Sequence, residues 1–197
     1  EKDWNNLIND KNKPLVNRFT QGLYPPGSIV KMITGAVLMD HQDFDPHMEQ
    51  VCDGAYQYGD RVFGCWNTQG HGKVDLTSAI AQSCDIYFYR TIHYYDIDKL
   101  AKYFYNFGFG NIAGIDIEGE AKGTIPTKAY MDKRYGRFGW STGALLNFSI
   151  GQGEILVTPI QVLNYTNILA TRGKTFKPHL VRSDVFIENK DSLIPYE

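Results

Sequence analysis

Long apolar runs are missing from this chain. No window of about eighteen consecutive apolar residues occurs, and Glu1-Lys2-Asp3 does not begin a secretory signal, so no stretch reads as crossing or inserting into a membrane. An excess of one charge is missing too. The 20 Lys and Arg residues meet 22 Asp and Glu for a formal charge of -2, and no block of like charge exceeds a few residues. Without a basic stripe, a DNA or RNA partner is excluded from the reading. Cysteine is scarce: there are three, and the odd count leaves one thiol over from any disulfide. Internal repeats and low-complexity linkers are absent.

What is present is a chain of 197 residues, 43% hydrophobic and 14% aromatic, enough to bury one sizeable core. It reads as one domain or part of one. The stretch Tyr24-Pro25-Pro26-Gly27-Ser28-Ile29-Val30-Lys31-Met32 organises the rest. Two prolines set an extended approach, Gly27 permits a sharp turn, and a helix is expected from Ser28 to Asp40 through Ile29, Val30, Met32, Ile33, Ala36, Val37 and Leu38. Lys31 then lies at i+3 from Ser28 on the same face. A serine hydroxyl is a poor nucleophile until a base takes its proton, and a lysine serves as that base when its surroundings leave it neutral. At a helix start the serine's own backbone N–H is also open to hold an oxyanion. A serine and a lysine three apart occur by chance roughly once in a chain of this length, so the pair alone is weak.

Along the chain, residues 1 to 23 read as a polar lead-in with a short helix at Asp3 to Ile8 and an extended Pro14 to Phe19. His41 to Gly72 is turn-rich, with short strands Ala55 to Tyr58 and Arg61 to Phe63 around Gly59-Asp60. Asp75 caps a helix over Leu76 to Gln82, Ser83-Cys84-Asp85 forms a connection, and Asp85 opens a helix through Ile92. Further helices are expected at Ile97 to Phe107, Lys128 to Tyr135, and from Thr158-Pro159 to Gly173, with Ile115-Asp116-Ile117 as a short strand. Phe176 to Ile187 alternates poorly. Tyr87-Phe88-Tyr89 and Tyr94-Tyr95 read as a buried face whose phenols reach polar partners.

The cysteines carry a separate signal. Cys52, Cys65 and Cys84 fall in one window with His71 among them, separated by twelve, five and twelve residues. Three thiols and an imidazole are a ligand set that structural zinc prefers, although the spacing is not that of a zinc finger. A Cys52–Cys65 disulfide with Cys84 buried is the alternative. His41, His47, His93 and His179 have no partner at metal spacing, and Trp66 either lines a groove or covers the metal site.

Six ordered blocks carry a resemblance: Tyr24-Pro25-Pro26-Gly27-Ser28-x-x-Lys31, Gly70-His71-Gly72, Ser83-Cys84-Asp85, Gly108-Phe109-Gly110 with Gly114-Ile115-Asp116, Gly151-Gln152-Gly153 with Thr158-Pro159-Ile160-Gln161, and Gly173-Lys174 with Pro178-His179-Leu180. In order and spacing they resemble the transpeptidase domain of class B penicillin-binding proteins from about Pro14 to Val181, and Ser-x-Asp looks like its elongation-type members. The resemblance implies a mainly α chain with a small β excursion, the helical part of the penicillin-binding and serine β-lactamase-like fold with its central antiparallel sheet largely missing. Residues 1–197 would be a partial transpeptidase domain: a helix at 28–40, a small zinc-pinned β region at 50–72 and a helical remainder at 75–180.

It also implies a peptidoglycan D,D-transpeptidase, acylated by β-lactam antibiotics and serving cell elongation and shape. Ser28 would be the nucleophile, Lys31 the base, Ser83 a proton relay, and Asp85 the residue that orients substrate and Lys31. An aspartate at this position adds a negative charge that holds Lys31 protonated where the two touch. Cys52, Cys65, His71 and Cys84 fall where some elongation-type members hold zinc. Stem peptides and elongation-complex membrane proteins, a glycosyltransferase among them, would be the partners. The setting would be the periplasmic face of the bacterial inner membrane, with an anchor outside this chain. A β-lactamase or β-lactam sensor on the same Ser-x-x-Lys platform, or a non-catalytic scaffold, are the alternatives. The family's third motif, Lys-Thr-Gly or Lys-Ser-Gly, does not occur in the 197 residues, and Gly173-Lys174-Thr175 has the wrong order. Turnover is not expected without that motif.

Overall fold

A computed structural model describes residues 2–181. Its helices are α1 (Lys2–Asn9), α2 (Arg18–Gln21), α3 (Lys31–Met39), α4 (Leu76–Ala81), α5 (Asp85–Arg90), α6 (Ile97–Asn106), α7 (Lys128–Tyr135), α8 (Gly143–Ser149) and α9 (Pro159–Ala170). The strands are β1 (Gln50–Cys52), β2 (Ala55–Tyr58), β3 (Arg61–Gly64) and β4 (Gly72–Val74). No helix among the described residues is long and apolar enough to cross a membrane. A mainly helical chain with a small β excursion is the expected class.

The chain divides into two compact units. One comprises Pro25–Tyr105 and Ile125–Ile155, and the other Glu1–Tyr24, Asn106–Thr124 and Leu156–Glu197. In the first, α3 packs on α4 where Gly35 faces Leu76 and Ile80. Its core holds Val30, Ile33, Val37 and Leu38 beside Ile86, Tyr87, Phe88 and Leu146, all essentially inaccessible. Each fully buried side chain of this size contributes about 1.5–3 kcal/mol relative to exposure. β1 pairs antiparallel with β4, Cys52 opposite Gly72, and β2 pairs with β3 around Gly59-Asp60. In the second unit α2 packs on α9. There Tyr24 bridges to Val157 and Thr124 to Leu156.

Several helix ends follow the sequence signals. Asp75 accepts from Ser78 N in a capping box at the start of α4. Thr158 and Gln161 do the same for α9, with Pro159 in its first turn. Thr127 caps α7, whose bounds are those expected.

Other expectations need correction. The helix expected at 28–40 opens as a 3₁₀ turn, Gly27–Val30, before α3 begins, and Lys31 N bonds Ser28 O. Gly27 at φ +65° turns the chain too sharply for a full α turn. Ile29 and Met32 lie on its exposed flank, not on the apolar face. The stretch read as extended ends in α2, because the Asn17 side chain accepts from Phe19 N and caps it. The helix expected through Ile92 stops at Arg90, and a 3₁₀ turn follows at Ile92–Tyr94. Between them the Thr91 hydroxyl donates to Tyr87 O and Phe88 O, competing with the helix ladder. Ile115-Asp116-Ile117 is not a strand, since the Glu120 carboxylate takes the N–H groups of Ala113, Gly114 and Ile115. The Tyr87 phenol meets no polar partner among the described residues. In the segment expected to alternate poorly, residues 182–187 lie outside the described residues.

Candidate functional site

The residues given catalytic or metal roles from the sequence, Ser28, Lys31, Ser83, Asp85, Cys52, Cys65, His71 and Cys84, all fall in the unit formed by Pro25–Tyr105 and Ile125–Ile155. The 3₁₀ turn matters to them. With three residues per turn, positions i and i+3 eclipse, so Ser28 and Lys31 share one face more closely than an α turn would allow. Ser28 is exposed whereas Lys31 is only 1% exposed. Gly151 holds the turn in place: its carbonyl accepts from Gly27 N at 2.9 Å. A Cβ on Gly151 would lie 2.3 Å from Gly27 O, so the two backbones approach in a way only glycine permits.

Lys31 Nζ donates to Ser83 O at 2.7 Å, to Ser83 Oγ at 3.0 Å and to Asp85 Oδ1 at 2.6 Å. These three acceptors match the three donors of a lysine ammonium. The expected Lys31–Asp85 contact is therefore present, as an ion pair with side chains 2% and 11% exposed. The second oxygen, Asp85 Oδ2, accepts from Trp66 N at 3.1 Å. Ser83 sits at φ +54°, a left-handed conformation that costs a serine about 1–3 kcal/mol and persists only where its surroundings hold it. Those surroundings include Cys84 N bonded to Ala79 O at 2.8 Å and the Lys31 contacts on its carbonyl and hydroxyl.

Trp66 was not assigned this role from sequence. Its indole N–H donates to Gln82 O at 3.1 Å, its ring meets His71 edge-on at 5.3 Å, and it remains 67% exposed. It therefore both covers the cysteine cluster and steadies Asp85 through its backbone. The sequence signal was its place after Cys65. The Gly151–Gly27 contact had a clearer one in the Gly151-Gln152-Gly153 block.

Cys52, Cys65, His71 and Cys84 come together, with one ligand-type atom from each within 4.8 Å of all the others. The Cys52 and Cys65 sulfurs lie 3.5 and 3.6 Å from His71 Nδ1. Bond lengths of about 2.3 Å to sulfur and about 2.0–2.1 Å to nitrogen give a tetrahedral S–N edge of about 3.5–3.6 Å. The donor set fits zinc on chemistry and on those edges. All three cysteines are buried and free, so the Cys52–Cys65 disulfide is not formed. Burial, reinforced by Cys52, pushes the Cys84 thiol up to about 12 against an opposing backbone bond from Tyr87. A divalent cation would reverse that cost by binding the thiolate. His71 Nε2 is buried without a partner among the described residues. Gly70 lets the His71 turn close on β1, since a Cβ there would lie 2.2 Å from Cys52 O.

Thr175 of the Gly173-Lys174-Thr175 triplet is buried and its hydroxyl accepts from Asn167 Nδ2. The triplet follows the end of α9 and does not lie on a strand.

A helical face that pins a serine turn, a lysine and a Ser-x-Asp connection together defines the α part of a penicillin-recognising transpeptidase fold. The chain belongs to that family: the penicillin binding protein transpeptidase domain matches it over residues 2–194. Peptidoglycan D,D-transpeptidase MrdA of Haemophilus influenzae is 37% identical over 185 residues, covering 92% of this chain and 28% of the relative. The solved penicillin-binding protein 2 of Helicobacter pylori superposes at a TM-score of 0.86 with 37% identity, covering 96% of this chain and 35% of that one. A complex of the Helicobacter pylori protein with MreC matches equally, at 0.86 and 36% identity, covering 93% and 34%. The chain thus spans about a third of the length of the proteins it resembles.

Proposed function

We propose that the full-length protein containing this chain is a peptidoglycan D,D-transpeptidase of the elongation type, with Ser28 as its acylated nucleophile. The observation that carries the reading is Lys31 Nζ held at 2.6–3.0 Å by Ser83 and Asp85, one 3₁₀ turn from Ser28.

Ser28 Oγ attacks the carbonyl of the penultimate D-alanine, its proton goes to Lys31, and the developing oxyanion is met by the Ser28 backbone N–H. To act as base Lys31 first gives one of its three protons to solvent; as a neutral amine it has two N–H donors and one lone pair, so it keeps two of its three contacts while the lone pair accepts the Ser28 proton. The C–N bond then breaks, and Ser83 passes a proton from Lys31 to the leaving D-alanine. An acceptor amine attacks the acyl-serine ester, loses a proton back through the same groups, and restores the Ser28 hydroxyl. Asp85 orients Lys31 through Oδ1 while the Trp66 N–H fixes its other oxygen. A β-lactam would follow the first half of this path and remain as the acyl-serine. The absent third motif would supply further groups for the substrate, which is why turnover is assigned to the full-length protein.

Cys52, Cys65, His71 and Cys84 would hold a structural Zn²⁺, which when bound supplies a cross-link between the strands and the Ser83 connection. Stem peptides and β-lactams are the proposed ligands, membrane proteins of the elongation complex, including a glycosyltransferase, the proposed partners, and the outer face of the inner membrane the proposed location. The complex of the related protein with MreC supports that assembly.

The test is acylation of the full-length protein by a labelled penicillin, followed by peptide mass mapping and measured deacylation. A lasting adduct on the Ser28 peptide is expected. Rapid release would favour a β-lactamase, no adduct a scaffold, and an adduct on Ser83 would reassign the nucleophile.

A further inference from the structure

The unit that carries Ser28 also holds a cavity of about 680 Å³ to which none of the mechanism above gives a use. Its walls are the β2–β3 hairpin, α7, α8 and the loop joining those two helices, and the lining extends to Gly153 and Glu154. That end is near the chemistry. Gly153 follows two residues after Gly151, which bonds Gly27, and two residues span at most about 7 Å.

The lining has a definite chemical character. Tyr58, Phe63, Tyr135, Phe138 and Trp140 present aromatic surface, and Phe138 is 94% exposed, its ring met by the Arg137 guanidinium at 5.9 Å. Charges cancel. Arg61 offsets Asp60, and Glu154 is already spent on Arg134 at 3.5 Å and on the Tyr135 hydroxyl. The side chains of Asp60, Arg61 and Asn147 make no hydrogen bond to another described residue, so donors and acceptors of both kinds are open to the cavity. A strongly anionic peptide would call for more than the one surplus cation that Arg137 supplies beside Phe138. Flat apolar faces with uncommitted donors and acceptors and little net charge suit a neutral, hydroxyl-rich ring, and the volume falls within the range of small-molecule sites.

We propose that this cavity is a glycan subsite, taking an amino-sugar segment of the peptidoglycan strand whose stem peptide reacts at Ser28. The inference rests on the transpeptidase reading and names the part of the substrate held away from the reacting carbonyl. Aromatic faces stack on the C–H faces of the pyranose, and Arg61 and Asn147 reach its hydroxyl and acetamido groups.

The experiment uses the full-length protein and a β-1,4-linked N-acetylglucosamine tetramer, titrated by calorimetry, with a sugar-free stem peptide as comparison. Penicillin acylation of the same wild-type sample is measured alongside. Saturable binding of the tetramer is expected, weakened about tenfold by Phe138→Ala and by Arg61→Ala and retained by Phe138→Trp. Circular dichroism of each variant checks that it is folded. A wild-type sample that acylates but ignores the tetramer overturns the subsite and leaves the transpeptidase reading standing. A sample that does not acylate removes that reading first. Equal binding by Phe138→Ala and Arg61→Ala, or competition for the cavity by the sugar-free peptide alone, also overturns the glycan assignment.

Discussion

Lys31 and Asp85, 54 residues apart in sequence, meet as a buried ion pair at 2.6 Å, and through it the Ser28 turn and the Ser-x-Asp connection become one structure. Removing one partner leaves the other charge buried and uncompensated. Asp85→Ala should therefore destabilise the full-length protein by about 3–5 kcal/mol, and pairing it with Lys31→Met should recover a large part of that loss. Urea unfolding of the two single variants and the double variant measures the coupling. Additive losses would mean the two charges do not depend on each other.

Lys31→Arg separates charge from proton transfer. Arginine keeps a positive charge near Asp85 but stays protonated at any workable pH and cannot accept the Ser28 proton. Acylation by a labelled penicillin should fall by about 10²–10⁴-fold in a protein whose thermal midpoint changes little. Near-normal acylation by the folded variant would take the role of base away from Lys31.

Gly151→Ala tests the backbone that supports the proposed nucleophile, Ser28. The new methyl would come within 2.3 Å of Gly27 O, and Gly151 itself sits at φ +74°. Both effects act on the turn that presents Ser28, so acylation should drop further than global stability does. Rates from a penicillin time course, set against the melting curve, show the split. A variant with a normal rate and a normal melt would mean that the turn tolerates displacement.

What the sequence made legible was local. The Thr158-Pro159-Ile160-Gln161 start of α9, the Asp75 cap of α4 and the Gly59-Asp60 hairpin each carry their cause within four residues, and each was expected where it lies. The Ser28–Lys31 spacing and the Cys52, Cys65, His71, Cys84 set were legible through residue type. What failed was decided by distant partners or by missing signals. α8 was not expected, because Thr142 gives it no side-chain cap and its buried Leu145, Leu146 and Phe148 sit among glycines and polar residues. β1 and β4 are three residues each, too short to show alternation. The 3₁₀ turn before α3 depends on Gly151, more than a hundred residues away, and the Asp85–Trp66 contact on a backbone N–H that no side-chain pattern reports.

Buried phenols set the alkaline limit. Burial raises Tyr87, Tyr89 and Tyr95 well above the ordinary value near 10, so the folded protein keeps their protons where the unfolded chain loses them. The unfolded state then binds fewer protons, and stability falls as pH rises. Their contribution is intact below about pH 10 and is lost above it. Phenolate absorbance should rise in two stages, exposed tyrosines titrating reversibly and the buried ones ionising only as far-UV dichroism is lost. A single reversible titration near pH 10 with dichroism retained would contradict the burial argument.

The proposed zinc should matter to the Ser83 connection before it matters to α3. Cys84 lies between Ser83 and Asp85, so tying its sulfur to Cys52, Cys65 and His71 also fixes the backbone that aims its two neighbours. Ser83 at φ +54° stores strain that only such surroundings retain. The α3 side, by contrast, rests on Val30, Ile33, Val37 and Leu38, all fully buried and needing no metal. Chelation should therefore raise hydrogen exchange in residues 82–90 and 50–74 first, leaving residues 31–39 protected, and should slow acylation as Lys31 loses its fixed acceptors. Elemental analysis of protein purified without added metal, with a thiol count under denaturing conditions, supplies the stoichiometry. One zinc and three reactive thiols are expected in this chain's share of the count. No metal with a single free thiol would restore the Cys52–Cys65 disulfide, and uniform exchange across both regions after chelation would mean that the metal supports the whole unit and not the Ser83 connection in particular.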